Sequence, residues 1–430
     1  MRGIDNPRVL AFEVLAEVEF KDQYSNLLLP KYLAASPMSK SDKAMATELV
    51  YGTLRMKGLY DQYIRIASDR KFEDIDAKAL IVLQMGPHQL KGMRTPVHAA
   101  IYESVELAKK VVGRSTASFV NAVLRRVSER ETLEWEGDLI STLAGEHSHP
   151  EWIVSSYLDN LKDENQVKKL LESNNQPTKP TLIAWPGLSS KDELIEAGAT
   201  DLDGSINAVA FDGNPGELAA VRERRAGVQD YGSQIVVEEF FKSHEEDLRW
   251  LDLCAGPGGK AAYLSALLAK HGGEFVANEI SEARAKLVSQ VVKHGTTTNF
   301  DGRNLPESIG RFDRILIDAP CTGIGALRRR PEVRWRRSVQ DLKQLVALQS
   351  ELLDAATDKL NSNGILAYAT CSPHQAETTF QVKGFLKKHP EFEVMPINHQ
   401  RADKDGFLQL WTHIDSCDAM FLALLRKRGL

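Results

Sequence analysis

Cysteine is scarce. Four occur in 430 residues, too few for a disulfide framework, which points to a reducing compartment, the cytoplasm. Long apolar runs are missing too: no stretch approaches 18 uninterrupted apolar residues, so no membrane association is expected. The amino end, Met1-Arg-Gly-Ile-Asp-Asn-Pro-Arg8, lacks the apolar centre of a secretory signal. There is no C-x-x-C and no histidine cluster, so no metal site is expected. Internal repeats and low-complexity tracts are also absent. What remains is 43% hydrophobic and 26% charged, with 17 Pro and 29 Gly. That composition excludes disorder, collagen and coiled-coil rods, and the length suggests two to four domains.

The formal net charge of −5 argues by itself against a polyanionic partner, but the distribution does not. Residues 1–130 carry 20 Lys and Arg against 15 Asp and Glu, and the remainder is acidic. Within that acidic remainder, LRRRPEVRWRR (327–337) packs six arginines around one Glu and one Trp. Local fields, not averages, steer a polyanion. Arg328, Arg329, Arg330, Arg334, Arg336 and Arg337 are therefore candidate RNA contacts, with Trp335 offering a face for stacking. For residues 1–130 a solvated helix face explains the charge about as well.

Apolar residues recur at helical spacing through residues 6–130, with Gly52, Gly58, Gly86-Pro87 and Thr95-Pro96 between the runs. This pattern predicts five to seven helices and no sheet, giving an all-helical domain over 1–145. A small connecting α/β subdomain follows over 146–230, with a short strand at 181–184. From 231 to 430 strands and helices alternate, the mark of an α/β domain with a mostly parallel sheet covered by helices on both faces. The expected strands are 250–253, 274–278, 299–300, 314–317, 364–369 and 420–425. The expected helices are 260–270, 282–294, 339–360 and 375–388.

In such sheets ligands bind at the carboxyl ends of strands. The first strand runs into Cys254-Ala255-Gly256-Pro257-Gly258-Gly259-Lys260, a turn whose glycines let a backbone approach a ligand closely as a helix begins. Its spacing is not the G-x-G-x-x-G of nicotinamide dinucleotide sites. Glu279 ends the second strand, where a carboxylate suits ribose hydroxyls, and Asp301 follows the third, within reach of an adenine amino group. Together these favour an adenosine-containing cofactor.

Two further strand ends carry thiols: ILIDAPCTG places Asp318 and Cys321, and YATCSP places Cys371. If the two strands are neighbours, both thiols lie at one edge beside the cofactor. Cys254 and Cys417 read as small buried hydrophobes. A thiolate, a carboxylate and a sulfonium cofactor suit methylation at carbon 5 of a pyrimidine. That carbon is a poor nucleophile until a thiolate adds at carbon 6 and turns the ring into an enamine. Lys260 and the arginine cluster are candidates for favouring the thiolate.

LDLCAGPGGK, ILIDAPCTG and YATCSP, in this order, resemble motifs of the RNA cytosine-5 methyltransferases. ELVYGTLR (48–55), FVNAVLRRV (119–127), SHPEW (148–152) and VQDYGSQ (228–234) resemble, within them, the small-subunit ribosomal RNA enzymes of the Sun/Fmu (RsmB) type. The resemblance implies an amino-terminal NusB-like RNA-binding domain and a Rossmann-like domain using S-adenosyl-L-methionine. It implies that Cys371 is the nucleophile, that Cys321 assists release, and that Asp318, with Lys260 beside it, contacts the base. Cys254 to Lys260, Glu279, Asp301 and Asp318 would line the cofactor site. The implied substrate is a cytosine of 16S ribosomal RNA, free or partly assembled, and a monomeric enzyme is expected. The glycine turn departs from the family's commoner CAAPGGK, and Gln375-Ala376-Glu377-Thr378 stands where Glu-Glu-Asn is usual. Two other readings stay open: the same chemistry on transfer RNA, and a non-catalytic RNA-binding assembly factor.

Overall fold

The structure, a computed structural model, describes residues 3–202, 204–243 and 249–429. The chain divides into two compact units. One comprises Met1–Gln176 together with Leu327–Arg336, the other Pro177–Ala326 together with Arg337–Leu430. This differs from the three consecutive domains read from the sequence. Residues 146–176 group with the amino-terminal helices and 177–230 with the sheet, while ten residues of the arginine-rich segment leave the sheet unit for the helical one.

The helical unit contains α1 (Pro7–Phe20), α2 (Ser25–Ala35), α3 (Lys40–Arg55), α4 (Lys57–Ala67), α5 (Ala77–Pro87), α6 (Val97–Val111) and α7 (Arg114–Glu129). They are followed by α8 (Leu139–Glu146), α9 (Glu151–Leu161) and α10 (Glu164–Asn174). Side-chain caps start several of them. Asn6 accepts from the Arg8 and Val9 amides before Pro7 opens α1, and Ser39, Asp76, Asp138 and Asp163 cap α3, α5, α8 and α10. Their inner faces bury Leu10, Val14, Leu49, Val82, Val120 and Leu124 in one core. Burying each such side chain contributes about 1.5–3 kcal/mol.

The sheet unit begins with a small antiparallel sheet of Thr181–Ala184, Thr200–Asp201, Ala208–Ala210 and Ala226–Val228. Its main sheet comprises β1 (Arg249–Asp252), β2 (Glu274–Asn278), β3 (Thr296–Thr298), β4 (Phe312–Asp318), β5 (Leu360–Thr370), β6 (Phe392–Met395), β7 (Leu408–Gln409) and β8 (Phe421–Lys427). The order is β6-β8-β5-β4-β1-β2-β3, with β7 paired to β8. The pairs from β5 across to β3 are parallel, while β8 runs antiparallel between β5 and β6. Both faces are covered, and successive strand residues alternate between two cores. Trp250, Leu316, Ala367 and Leu424 face one; Leu251, Ile315, Leu366 and Leu425 face the other.

The third strand lies at Thr296–Thr298 and not at 299–300. It is a short polar edge strand, so the apolar run sought there could not mark it. The expected helix 375–388 is a 3-10 turn, Gln375–Glu377, followed by a separate helix, α14 (Thr379–Lys388). Three further helices pack on the sheet: α11 (Gly259–Leu268), α12 (Glu282–Val291) and α13 (Val339–Lys359). No helix among the described residues is long and apolar enough to cross a membrane.

Candidate active site

β4 and β5 are adjacent and parallel, with Asp318 opposite Ala369. The chain therefore leaves both strands at the same level, and the turns that follow bring their cysteines together. The sulfurs of Cys321 and Cys371 lie 3.4 Å apart, hydrogen-bonded, with both residues half-buried. That is far from the roughly 2.05 Å of a disulfide. The bond to Cys371 pushes the Cys321 thiol well above its usual range; burial and the charges of Cys371, Glu377 and Asp318 add to the effect.

Lys260 stands in the first turn of α11, and its Nζ donates to Asp318 Oδ2 at 2.8 Å. Burial works to lower the lysine, but the Asp318 charge and hydrogen bond, joined by the nearby Cys371, outweigh it and hold Lys260 above its usual value. One buried ammonium thus faces both a carboxylate and a thiol, an arrangement that favours a thiolate. Asp252, at the end of β1, is fully buried near this pair. Burial first, then the charge of Asp318, raises its carboxyl to about 8, so it is mostly protonated at neutral pH.

The glycine turn is built against the end of β2. Glu279 accepts from the Gly256 amide at 3.0 Å and from the Ser281 amide at 2.9 Å, and is only 2% exposed. A Cβ on Gly256 would collide with the Glu279 carboxylate and the Arg284 guanidinium. Gly258 adopts φ +117°, and a Cβ there would lie 2.7 Å from Val291, so only glycine fits. Cys254 sits in this turn, its thiol pushed well up by burial, and Ala255 and Pro257 complete it. Asp301 is half-exposed and held by Arg303, whose hydrogen bonds lower its carboxyl; Arg303 also pairs with Glu351.

Several residues of this site escaped the sequence reading. Asn278 donates to Leu253 O and Phe300 O and accepts from Thr298 and the Phe300 amide, tying three strand ends together. Ile280, 62% exposed beside Glu279, offers an apolar face. Glu377 and Gln349 bond the loop around Cys321. Asn278 is the last residue of β2 and Glu377 ends the 3-10 turn after β5, so neither position nor residue type announces the role as it does for Glu279.

The arginine-rich segment corrects an expectation. Arg334 is fully buried in the helical unit. Its guanidinium donates to Arg55 O at 3.1 Å, Ser148 O at 2.9 Å and Asn175 Oδ1 at 2.8 Å. Arg336 donates to Gln23 O at 2.8 Å and lies over the Tyr24 ring, and the Trp335 indole fills the space above Gly58. Arg334 is not a free RNA contact, since backbone carbonyls and Asn175 take up its donors, whereas Arg336 and Trp335 are engaged in the same unit but stay partly exposed. Glu332 joins them, accepting from the Ser25 amide and hydroxyl at the start of α2. Arg328, Arg329, Arg330 and Arg337 are partly exposed, with Arg330 also over Tyr24. Among the described residues no group of three His, Cys, Asp or Glu could hold a metal ion.

A family model described as 16S rRNA methyltransferase RsmB/F matches residues 239–426, and the NusB family model matches residues 5–129. A Mycobacterium tuberculosis protein named as a methyltransferase is 40% identical over 447 aligned residues, covering 99% of this chain and 97% of that protein. The chain belongs to the RsmB/F methyltransferase family. Within the same family range, a protein of Bacillus subtilis named as ribosomal RNA small subunit methyltransferase B is 30% identical, covering 98% of this chain and 99% of its own. One of that name from Vibrio vulnificus is 29% identical over 99% and 100%. The crystal structure of PH0851 superposes with a TM-score of 0.82 at 21% identity over 99% of this chain and all of its own. The NSun6 structure from Pyrococcus horikoshii covers 65% of this chain and 98% of its own, with TM-score 0.57 at 18% identity. The fold is thus the one the sequence implies, a helical NusB domain joined to an α/β methyltransferase domain.

Proposed function

We propose that this protein transfers a methyl group from S-adenosyl-L-methionine to carbon 5 of a cytosine in 16S ribosomal RNA. It would act as a cytoplasmic monomer. The observation that carries the reading is the meeting of the two thiols at the ends of adjacent parallel strands, 3.4 Å apart beside the Lys260–Asp318 pair. The small-subunit assignment rests on the relatives named for that RNA.

The residues present fit the methyl donor. The turn Cys254–Gly259 offers backbone with no side chain where a Cβ would collide, Glu279 and Asp301 supply carboxylates at successive strand ends, and Asp318 closes the site. When bound, that cofactor supplies an electrophilic methyl group. Cys371 adds to carbon 6 of the cytosine, while Asp318 holds the edge bearing N3 and the exocyclic amine. The Lys260–Asp318 pair keeps a proton next to N3, which stabilises the electron-rich adduct. After transfer, solvent water takes the carbon-5 proton, the C–H electron pair re-forms the carbon 5–carbon 6 double bond, and the carbon 6–sulfur bond breaks to release the Cys371 thiolate. Cys321, held as a thiol, hydrogen-bonds that departing sulfur. A base must be unstacked to reach such a site, which favours a loop of free or partly assembled RNA.

RNA bearing 5-fluorocytidine tests the adduct, because fluorine at carbon 5 cannot leave as a proton. A protein–RNA band that survives denaturation with the wild type and is absent from Cys371→Ala is expected. An equal band from both would remove Cys371 from the role.

A further inference from the structure

Glu377 is fully buried in the 3-10 turn that follows β5, and the mechanism above gives it no task. A buried carboxylate persists only where donors converge on it. Here they come from the loop that carries Cys321. Oε1 accepts from the Thr322 amide at 2.8 Å and from Gln349 Nε2 at 3.1 Å, and Oε2 accepts from the Thr322 hydroxyl. Gln349 Nε2 also donates to Pro320 O at 2.8 Å. The residues on both sides of Cys321 are thereby fixed to one carboxylate–amide unit. On the Cys371 side, Tyr368 donates to Glu377 O at 2.8 Å, and Ser372 Oγ lies 3.3 Å from Thr322 Oγ1. The Gly325 amide donates to Cys371 O at 3.0 Å, closing the second contact between the loops.

We propose that Glu377 is a positioning residue for the two thiols, holding the loop of Cys321 against the loop of Cys371 through its paired hydrogen bonds to Thr322. The proposal rests on the reading that both thiols serve methyl transfer. Its charge has a second effect, since it opposes ionisation of Cys321 and helps to keep that group a thiol.

Glu377→Ala removes reach and charge, Glu377→Asp keeps the charge and shortens the reach, and Glu377→Gln keeps the reach and removes the charge. Misplacing a reacting group by about 1 Å costs on the order of a hundredfold. Ala and Asp should therefore lower kcat by roughly that factor, with KM for RNA and for S-adenosyl-L-methionine within about twofold. Gln should restore most of kcat while moving the alkaline limb of the pH–rate profile to lower pH. A purely structural role would lower the melting temperature of all three without this split.

A readout independent of methylation is oxidation of the pair by diamide. The two thiols lose two electrons and two protons to the azo group, giving the Cys321–Cys371 disulfide and a hydrazine. The disulfide should form at least about tenfold faster in wild type and Glu377→Gln than in Glu377→Asp, as spacing governs the reaction. Equal oxidation rates together with unchanged kcat in the Asp variant would overturn the proposal. A wild type that methylates no cytosine but keeps the oxidation contrast would sink the functional reading and leave the positioning intact.

Discussion

Arg334 separates a structural arginine from an RNA-binding one, and Arg334→Met is the perturbation that does it. The methionine keeps the aliphatic stem in the core and deletes the guanidinium. Three hydrogen bonds of 2.8–3.1 Å are lost, to Arg55 O, Ser148 O and Asn175 Oδ1, along with a longer one to Asn174 O. Each bond from a charged donor is worth about 1.5–3 kcal/mol, but the variant no longer buries a charge, which offsets part of the loss. Leaving these neutral acceptors unsatisfied costs about 1–3 kcal/mol each, and with the charge no longer buried a net loss of about 2–4 kcal/mol remains. For a unit of this size that is roughly 4–16 °C in melting temperature. Differential scanning calorimetry reads the shift, and hydrogen exchange should quicken at the carboxyl end of α3 and around Asn174. A melting temperature within about 2 °C of wild type, combined with lost RNA affinity, would refute the reasoning and return Arg334 to the RNA-contacting group.

Cys371→Ala should abolish methyl transfer while leaving cofactor binding by calorimetry unchanged; a normal rate would exclude it as nucleophile. Cys321→Ala should accumulate a covalent protein–RNA species on a denaturing gel, because the adduct forms but its sulfur leaves slowly; normal turnover with no adduct would contradict the release role. Asp252 makes a pH prediction. Its carboxyl rises from 3.8 in the open chain to about 8 when folded, so the folded state holds the extra proton. The associated stability is complete below about pH 4 and is lost as pH rises to about 8. Asp252→Asn should therefore gain on the wild type in urea unfolding across that window and hold a constant difference above it; parallel curves would show that Asp252 titrates normally.

Much of the fold was legible because its signals are local. The β2 strand, 274–278, and the short strand 181–184 fall where the apolar runs place them, and helix starts follow Ser, Asp and Asn caps. The thiol pair was legible because two strand ends carry the same residue type, but their contact needed the sheet order, which no local pattern encodes. β3 is three threonines on an edge, so the sequence pattern sets it a few residues late, at 299–300, and β6 and β7 are so short that periodicity passes over both. The arginine cluster misled for a physical reason. Six arginines in eleven residues look like a surface, yet ten of those residues cross into the helical unit, where backbone carbonyls at a helix end and in loops take up the Arg334 and Arg336 donors. Burial of an arginine is a property of its partners, and those lie some 160–280 positions away in the chain.

The central claim is a cytosine carbon-5 methylation. Incubating the full chain with tritium-labelled S-adenosyl-L-methionine and unmodified small-subunit RNA, then mapping the label, tests it most directly. A single labelled cytosine carrying the methyl group on carbon 5 is the expected result. Label on a ring nitrogen or ribose oxygen, or transfer to transfer RNA alone, would contradict it.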